Sequence, residues 1–286
     1  MGMLLSRGCL STAAVAVLSL SLCPPVHSQA EPGAIKPVQK IRLFDGKSLD
    51  AFETWLVDHH HSDPDRVFTV VDQIDGAPAI RASGQHFGGI VTKNSYRDYR
   101  LVVEYRWGPA TWGKRADRTR DSGILLHAQG RPGNSQKDFN GPWMRSVEFQ
   151  IIEGGVGDFI LVGGYTDKGE LLRPIMKART RKDRDGENVY DPNGQINVFS
   201  SGRINWWGRS EDWVDKLDFR GPSDPDSPGQ GWTRLEAIVD GGNFTYFVNG
   251  KKVNEGFDCS LVEGKLLFQS EGAEIYFRRI DLEPLR

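Results

Sequence analysis

With 286 residues, 36 lysines and arginines against 38 aspartates and glutamates, and a formal net charge of −2, the chain offers no bulk field for nucleic acid or an anionic membrane surface. The length allows one large domain or two small ones and is ample for a sizeable core. Its 33 glycines, 15 prolines and 10% aromatic residues suit a turn-rich β protein acting on a neutral partner.

The chain opens on a targeting pattern. Arg7 supplies a positive first region, CLSTAAVAVLSLSLC is apolar but too short to span a bilayer comfortably, and VHSQA offers small residues for cleavage near Ser28 or Ala30. Residues 1–30 are therefore read as a signal peptide, residues 31–286 as one exported domain, periplasmic or extracellular, without a transmembrane anchor. Leu22 stands where a lipoprotein signal would place a small residue before Cys23. With Cys9 and Cys23 removed, Cys259 is the one cysteine of the mature chain; no intramolecular disulfide can form, and it reads as a small buried hydrophobe.

After the polar leader EPGAIKPVQK the pattern is strand after strand. YRLVVEYRW (99–107) places Leu101, Val103, Tyr105 and Trp107 on one face and Val102, Glu104 and Arg106 on the other. SGILLHA, RSVEFQII, DFILVGG, TRLEAIVD, FTYFVNG, KLLFQS and EIYFRRIDLE continue it, with DGGN and NGKK as hairpin turns. The best helix is SEDWVDKL (210–217), opened by Ser210. Short antiparallel strands without a βαβ rhythm give an all-β fold, a two-sheet sandwich or jelly roll.

Three further segments stand out. KARTRKDRDGENVYDPNG (177–194) reads as a solvated loop. Residues 204–232 gather Trp206, Trp207, Trp213, Phe219 and Trp232 among Pro and Gly; such rings serve as core plugs or as a wall on which sugars stack, Trp206 and Trp207 being the substrate-binding candidates. His59-His60-His61 with Asp63 and Asp65 has the composition of a metal site, but consecutive side chains diverge, so no metal ligands are assigned.

The most chemical stretch is SVEFQIIEGGVGDF (146–159). On a strand Glu148 and Gln150 point the same way, while Glu153 points the other way unless one residue bulges. The order E-x-Q-x-x-E resembles the E-x-D-x-x-E strand of laminarinase-type β-glucanases, whose two glutamates act as nucleophile and acid/base; Gln150 stands in place of the aspartate. A retaining pair needs carboxyls about 5 Å apart.

A wider resemblance covers nearly the whole mature chain. LFDGKSLDAFETW, DSGILLH (121–127), VEFQIIE, GWTRLEAIVDGGNFTYFVNGKKV and GKLLFQSEGAEIYFRRIDL are similar to the bacterial 3-keto-disaccharide hydrolase family, whose fold is of the concanavalin A-like lectin and glucanase type. Where that family has N-S-G-x-x-x-R, this chain has Asp121-Ser122-Gly123 and ends in His127.

The resemblance implies an enzyme that cleaves glycosidic bonds of 3-keto-glycosides by elimination and hydration, because a C3 ketone acidifies the hydrogen on C2. It calls for a base, a cation, metal or donor at the carbonyl oxygen, and an acid for the leaving oxygen. Expected roles are Glu148 as base, His127 passing a proton to the leaving group or binding a metal, and Arg145 holding the oxyanion. Gln150 orients hydroxyls, Asp158 is a second carboxylate, and Glu153 stands with them among the substrate-binding candidates. No cofactor is assigned, although a divalent metal would serve the carbonyl oxygen. The implied partners are a carbohydrate substrate and a separate sugar 3-oxidoreductase that supplies it. A β-glucanase using Glu148 and Glu153, or a lectin-like sugar-binding module without turnover, are the alternatives.

Overall fold

The computed structural model describes residues 33–285, so the expected signal peptide lies outside the described residues. Two antiparallel sheets face each other as a jelly-roll sandwich. One has seven strands, in the order Gly202–Ile204, Phe159–Val162, Arg145–Ile152, Asp121–Gln129, Lys265–Ser270, Gly88–Thr92 and Phe52–Leu56. The other has eight: Lys251–Gly256, Asn243–Val248, Thr233–Asp240, Tyr99–Thr111, Ala273–Pro284, Ala77–Ala82 and Phe68–Ile74 in order, with Ile41–Arg42 paired onto Ala273–Pro284. Among the described residues no helix is long and apolar enough to cross a membrane.

Alternation decides which side chains enter the space between the sheets. Leu101, Val103, Tyr105 and Trp107 enter it from one sheet, and Val147, Phe149 and Ile151 from the other. Phe149 stacks on Tyr246 with ring centroids 4.0 Å apart, and Phe268 meets Phe277 edge-on at 5.5 Å. Such aromatic pairs each contribute about 0.5–1.5 kcal/mol beyond the area they bury. Cys259 is buried, as its residue type suggests. The expected NGKK turn forms with Asn249 and Gly250 both at positive φ (48° and 81°), the conformation a two-residue hairpin favours.

Several elements differ from expectation. Phe52–Leu56, Phe68–Ile74, Ala77–Ala82 and Gly88–Thr92 are strands that local alternation does not mark. Gly88–Thr92 is buried on both faces, and a Cβ on Gly89 would lie 2.6 Å from the Phe268 carbonyl oxygen. Residues 177–194 are not a plain loop: Met176–Lys182 pairs with Asn188–Tyr190 and Gln195–Phe199 in a small third sheet, burying Met176, Ala178, Thr180, Val189 and Tyr190 behind the charged residues that mask them. The 210–217 helix does not form. There the Ser210 hydroxyl caps only a turn, and Trp213 and Asp215 are drawn into bonds with Glu153 and with Arg115, Arg118 and Thr119.

His127 shows how a bulge redirects chemistry. The Asp121–Gln129 strand carries one extra residue after Leu126, and His127 takes a positive φ of 52°. Its ring turns into the core between Tyr99 and Phe244, with Nδ1 donating to the Leu261 carbonyl at 3.0 Å. Burial lowers its pKa to about 4. The unfolded chain binds this proton below about pH 6.5 and the folded one only below about 4, so stability falls as pH drops through that window, by about 3 kcal/mol in all. His127→Asn keeps a donor and tolerates positive φ. It should unfold at lower urea overall yet flatten the loss between pH 6.5 and 4; an unchanged acid slope would remove His127 as its source.

Candidate active site

The face of the seven-stranded sheet turned away from the core carries the chemistry. Glu148 and Gln150 leave the Arg145–Ile152 strand on that face, Asp121 and Gly123 the neighbouring Asp121–Gln129 strand, and Gln269 the Lys265–Ser270 strand beyond it. Gly123 pairs with Gln150, and Leu125 with Glu148. A side chain on Gly123 would strike the Glu148 carboxylate and come within 2.6 Å of Gln269 Oε1. Glycine at the middle of the sheet is thus what lets Glu148 and Gln269 lean together.

Around Glu148 sit the carboxylates of Asp121 and Glu271 and the guanidiniums of Arg115 and Arg203. Gln150 Nε2 donates to Asp121 Oδ1 at 2.8 Å, and Arg115, from the 3₁₀ turn Gly113–Arg115, forms a short ion pair with the other Asp121 oxygen. Arg203 comes from the edge strand Gly202–Ile204 and is held by Asp158, whose Oδ2 accepts from it at 2.9 Å; Asp158 also binds Arg209 and the Trp206 backbone N–H. Glu271, just past the Lys265–Ser270 strand, completes the group.

Burial and mutual repulsion make these acids hold their protons. Desolvation first, and then the charge of Asp121, raise Glu148 to about 8, against the opposing pull of Arg203. Desolvation raises Asp121 to about 6, with Arg115 and Arg203 holding it down. Glu271 is pushed well above the ordinary range by burial and by Asp121 and Glu148. Around Glu148 the amides are left with unused capacity: Gln150 Oε1 and both polar atoms of Gln269 are buried without a hydrogen-bond partner among the described residues. Beside the polar group, Val91, Leu125, Ala128, Met144 and Leu267 form an apolar patch on the same face.

The expected set is therefore brought together only in part. Glu148 and Gln150 share the face, and Asp158 acts on it through Arg203. His127 is not there, for the bulge sends it into the core. Nor is Arg145, which leaves the same strand on the opposite side, donates to Gln129 Oε1 at 3.2 Å and lies near Cys259. Arg203 and Arg115 supply the cations instead. Trp206 is fully buried as a core plug, and Trp207, 40% exposed, lines a cleft of about 520 Å³ with Tyr190, Asp191 and Lys252, none of them in the carboxylate group.

Glu153 has a structural post. Its Oε2 accepts the Arg120 and Asp218 backbone N–H groups at 2.9 and 3.0 Å, and its Oε1 the Arg120 guanidinium at 2.6 Å. Gly154 follows because the Trp213 and Phe219 rings lie on it, each 2.6 Å from where a Cβ would sit. The strand ends where the 209–219 segment docks. Glu153→Gln should lower stability by about 1–3 kcal/mol, since one of these donors loses its acceptor, and leave turnover unchanged. Loss of turnover at unchanged stability would restore the two-glutamate glycosidase.

Of the residues in the group, Gln269 and Glu271 carried a readable signal: in GKLLFQSEG they alternate with Leu266 and Phe268, as Glu148 and Gln150 alternate with Val147 and Phe149. Arg115 and Arg203 carried none, because long-range pairing brings them in.

A sandwich with a buried acid cluster, two fixed cations and unused amides on one sheet face carries groups equipped for acid–base chemistry. The model of the 3-keto-alpha-glucoside-1,2-lyase-like domain matches residues 39–283, and the chain belongs to that family. No curated protein matches the chain. Among solved structures it is similar to a candidate glycosyl hydrolase from Parabacteroides distasonis ATCC 8503, with 15% identity, a TM-score of 0.47 and coverage of 87% of this chain and 94% of that one. It is also similar to carbohydrate-binding module CBM66 from Bacillus subtilis, with 13% identity, a TM-score of 0.37 and coverage of 76% and 91%.

Proposed function

We propose that this protein is an exported enzyme that cleaves the glycosidic bond of 3-keto-glycosides, including 3-keto-disaccharides, by elimination followed by hydration. The observation that carries the reading is the convergence of Glu148, Glu271, Asp121 and Arg203 on one sheet face, acids of separated proton affinity beside a fixed cation. Glu148 acts in its ionised form, so the rate rises as pH approaches about 8; it takes the C2 hydrogen, and the electron pair moves onto the C3 oxygen, which Arg203 faces. The C1–O bond then breaks, and Glu271, which keeps its proton, hands it to the leaving oxygen. Water adds back across C1 and C2, its hydroxyl to C1 and the proton to C2. Gln150 and Gln269 meet sugar hydroxyls with their unpaired amide atoms. Because the substrate is already oxidised, a sugar 3-oxidoreductase must supply it. Acids of separated proton affinity beside a fixed cation serve proton transfer, which a pure binding module does not perform.

The test is incubation in D₂O with a 3-keto-disaccharide and with its unoxidised parent. Without the ketone the C2 hydrogen is too weakly acidic for a carboxylate to remove, so the parent should stay intact while the keto-sugar is cleaved with deuterium entering C2. Exchange into the free product is measured in parallel and subtracted. Cleavage of the parent without label at C2 would overturn the proposal in favour of ordinary glycoside hydrolysis.

A further inference from the structure

We propose that His59, Asp65 and His86 form a binding site for a zinc-class divalent transition-metal ion, with Asp58 orienting His86. Of the three consecutive histidines the fold selects one. His60 stacks on Trp55 with its Nε2 on Asn140, and His61 also packs against Trp55, whereas His59 turns the other way to meet His86 edge-on, ring centroids 4.7 Å apart. His86 comes from a different segment, just before Gly88–Thr92, so the site is absent from the local run of histidines.

Three ligating atoms converge there. His59 Nε2 is 3.1 Å and His86 Nε2 2.9 Å from the same oxygen, Asp65 Oδ2, and the three ligand atoms lie within 4.8 Å of one another. A tetrahedral ion with bonds of about 2.0–2.1 Å spaces its ligands by about 3.3 Å. His86 Nδ1 is 2.8 Å from Asp58 Oδ2. A carboxylate that accepts the Nδ1–H hydrogen bond fixes the tautomer whose Nε2 lone pair points toward Asp65, which is how metal-bound histidines are held. Two imidazole lone pairs and a carboxylate oxygen then face one another, an arrangement that a cation completes and that leaves the fourth position open to water.

The scaffold is fixed. Val57 donates to the Phe87 carbonyl at 2.9 Å and so ties the two segments together; Asp63 takes the Val67 and Phe68 N–H groups at 2.7 and 2.9 Å. His60 and Arg66 adopt positive φ (53° and 54°) to close the loop between them. None of these residues belongs to the carboxylate group of the candidate active site.

The experiment treats the purified full chain with a chelator, removes the chelator, and titrates Zn²⁺ calorimetrically, with Co²⁺ as a spectroscopic probe. One ion per chain should bind, with tetrahedral Co²⁺ absorption, and Zn²⁺ should raise the melting temperature. His59→Ala and His86→Ala should each abolish the Co²⁺ signal while keeping the metal-free melting temperature near that of the parent. Asp58→Asn should weaken binding by roughly 10–100-fold. His60→Ala, outside the ligand set, should bind as the parent does. Absence of saturable binding, or binding that survives His86→Ala, would overturn the proposal and leave protons as the only bridge between these groups. If a histidine variant unfolds, Asp58→Asn and Asp65→Asn decide the matter by the same titration.

Discussion

Glu148→Gln should remove most turnover, by about 10²–10⁴-fold, and leave the fold intact. The substitution is nearly isosteric, deletes only the base, and lets the new amide pair with the unused atoms of Gln269. It should also change how stability responds to alkali. In the parent the folded chain keeps the Glu148 proton up to about pH 8, whereas the unfolded chain releases it near 4.5; stability therefore falls as pH rises between those values. The variant has no such proton to lose, so its urea midpoint should decline less from pH 5 to 8. Rates on a 3-keto-disaccharide, paired with urea melts across that range, check both halves. A variant as active as the parent would take Glu148 out of the mechanism.

Arg203→Met should cost about 10²–10³ in turnover, the loss expected when a fixed donor at a developing oxyanion is removed. Arg203 is the cation that Asp158 aims at Glu148 and Asp121, and without it their protons are held more tightly. The rise of the rate with pH should accordingly move to higher pH, a displacement that a merely structural role would not produce. Arg203→Lys should recover part of the rate but not all, because a lysine ammonium lacks the planar fork that serves Asp158 and the neighbouring acids together. Asp158 retains Arg209 and the Trp206 N–H in both variants, so the melting temperature should change little. An unshifted pH profile at full activity would assign the oxyanion to another group.

The strands that hold the chemistry were readable where a single local rule governs them. Arg145–Ile152 alternates, so Glu148 and Gln150 fall on one face and Val147, Phe149 and Ile151 on the other without knowledge of any partner strand. His127 broke that rule because a one-residue bulge after Leu126 exchanges the two faces, and nothing in SGILLHA announces it. Arg145 was misplaced for a simpler reason: three residues from Glu148, it has the opposite parity on the same strand. Arg203, Arg115 and the His59–His86 pairing depend on which strands and loops become neighbours across the sandwich, which local pattern does not encode. Gly88–Thr92 escaped notice since a strand buried on both faces shows no alternation at all.

The placement of the acids on the back of the core sheet constrains how such a protein can diverge. Glu148 and Gln150 have core residues as chain neighbours: Val147 and Phe149 flank Glu148, Phe149 and Ile151 flank Gln150. An insertion or deletion of one residue inside these strands would exchange the two sets, putting carboxylates into the core and aromatic rings onto the acid-bearing face. Strand length is therefore frozen by chemistry and packing at once. Inheritable variation around the acid group is left to the connecting segments, such as 130–144 and 205–232, where residues can be gained or lost without altering the parity of a single strand.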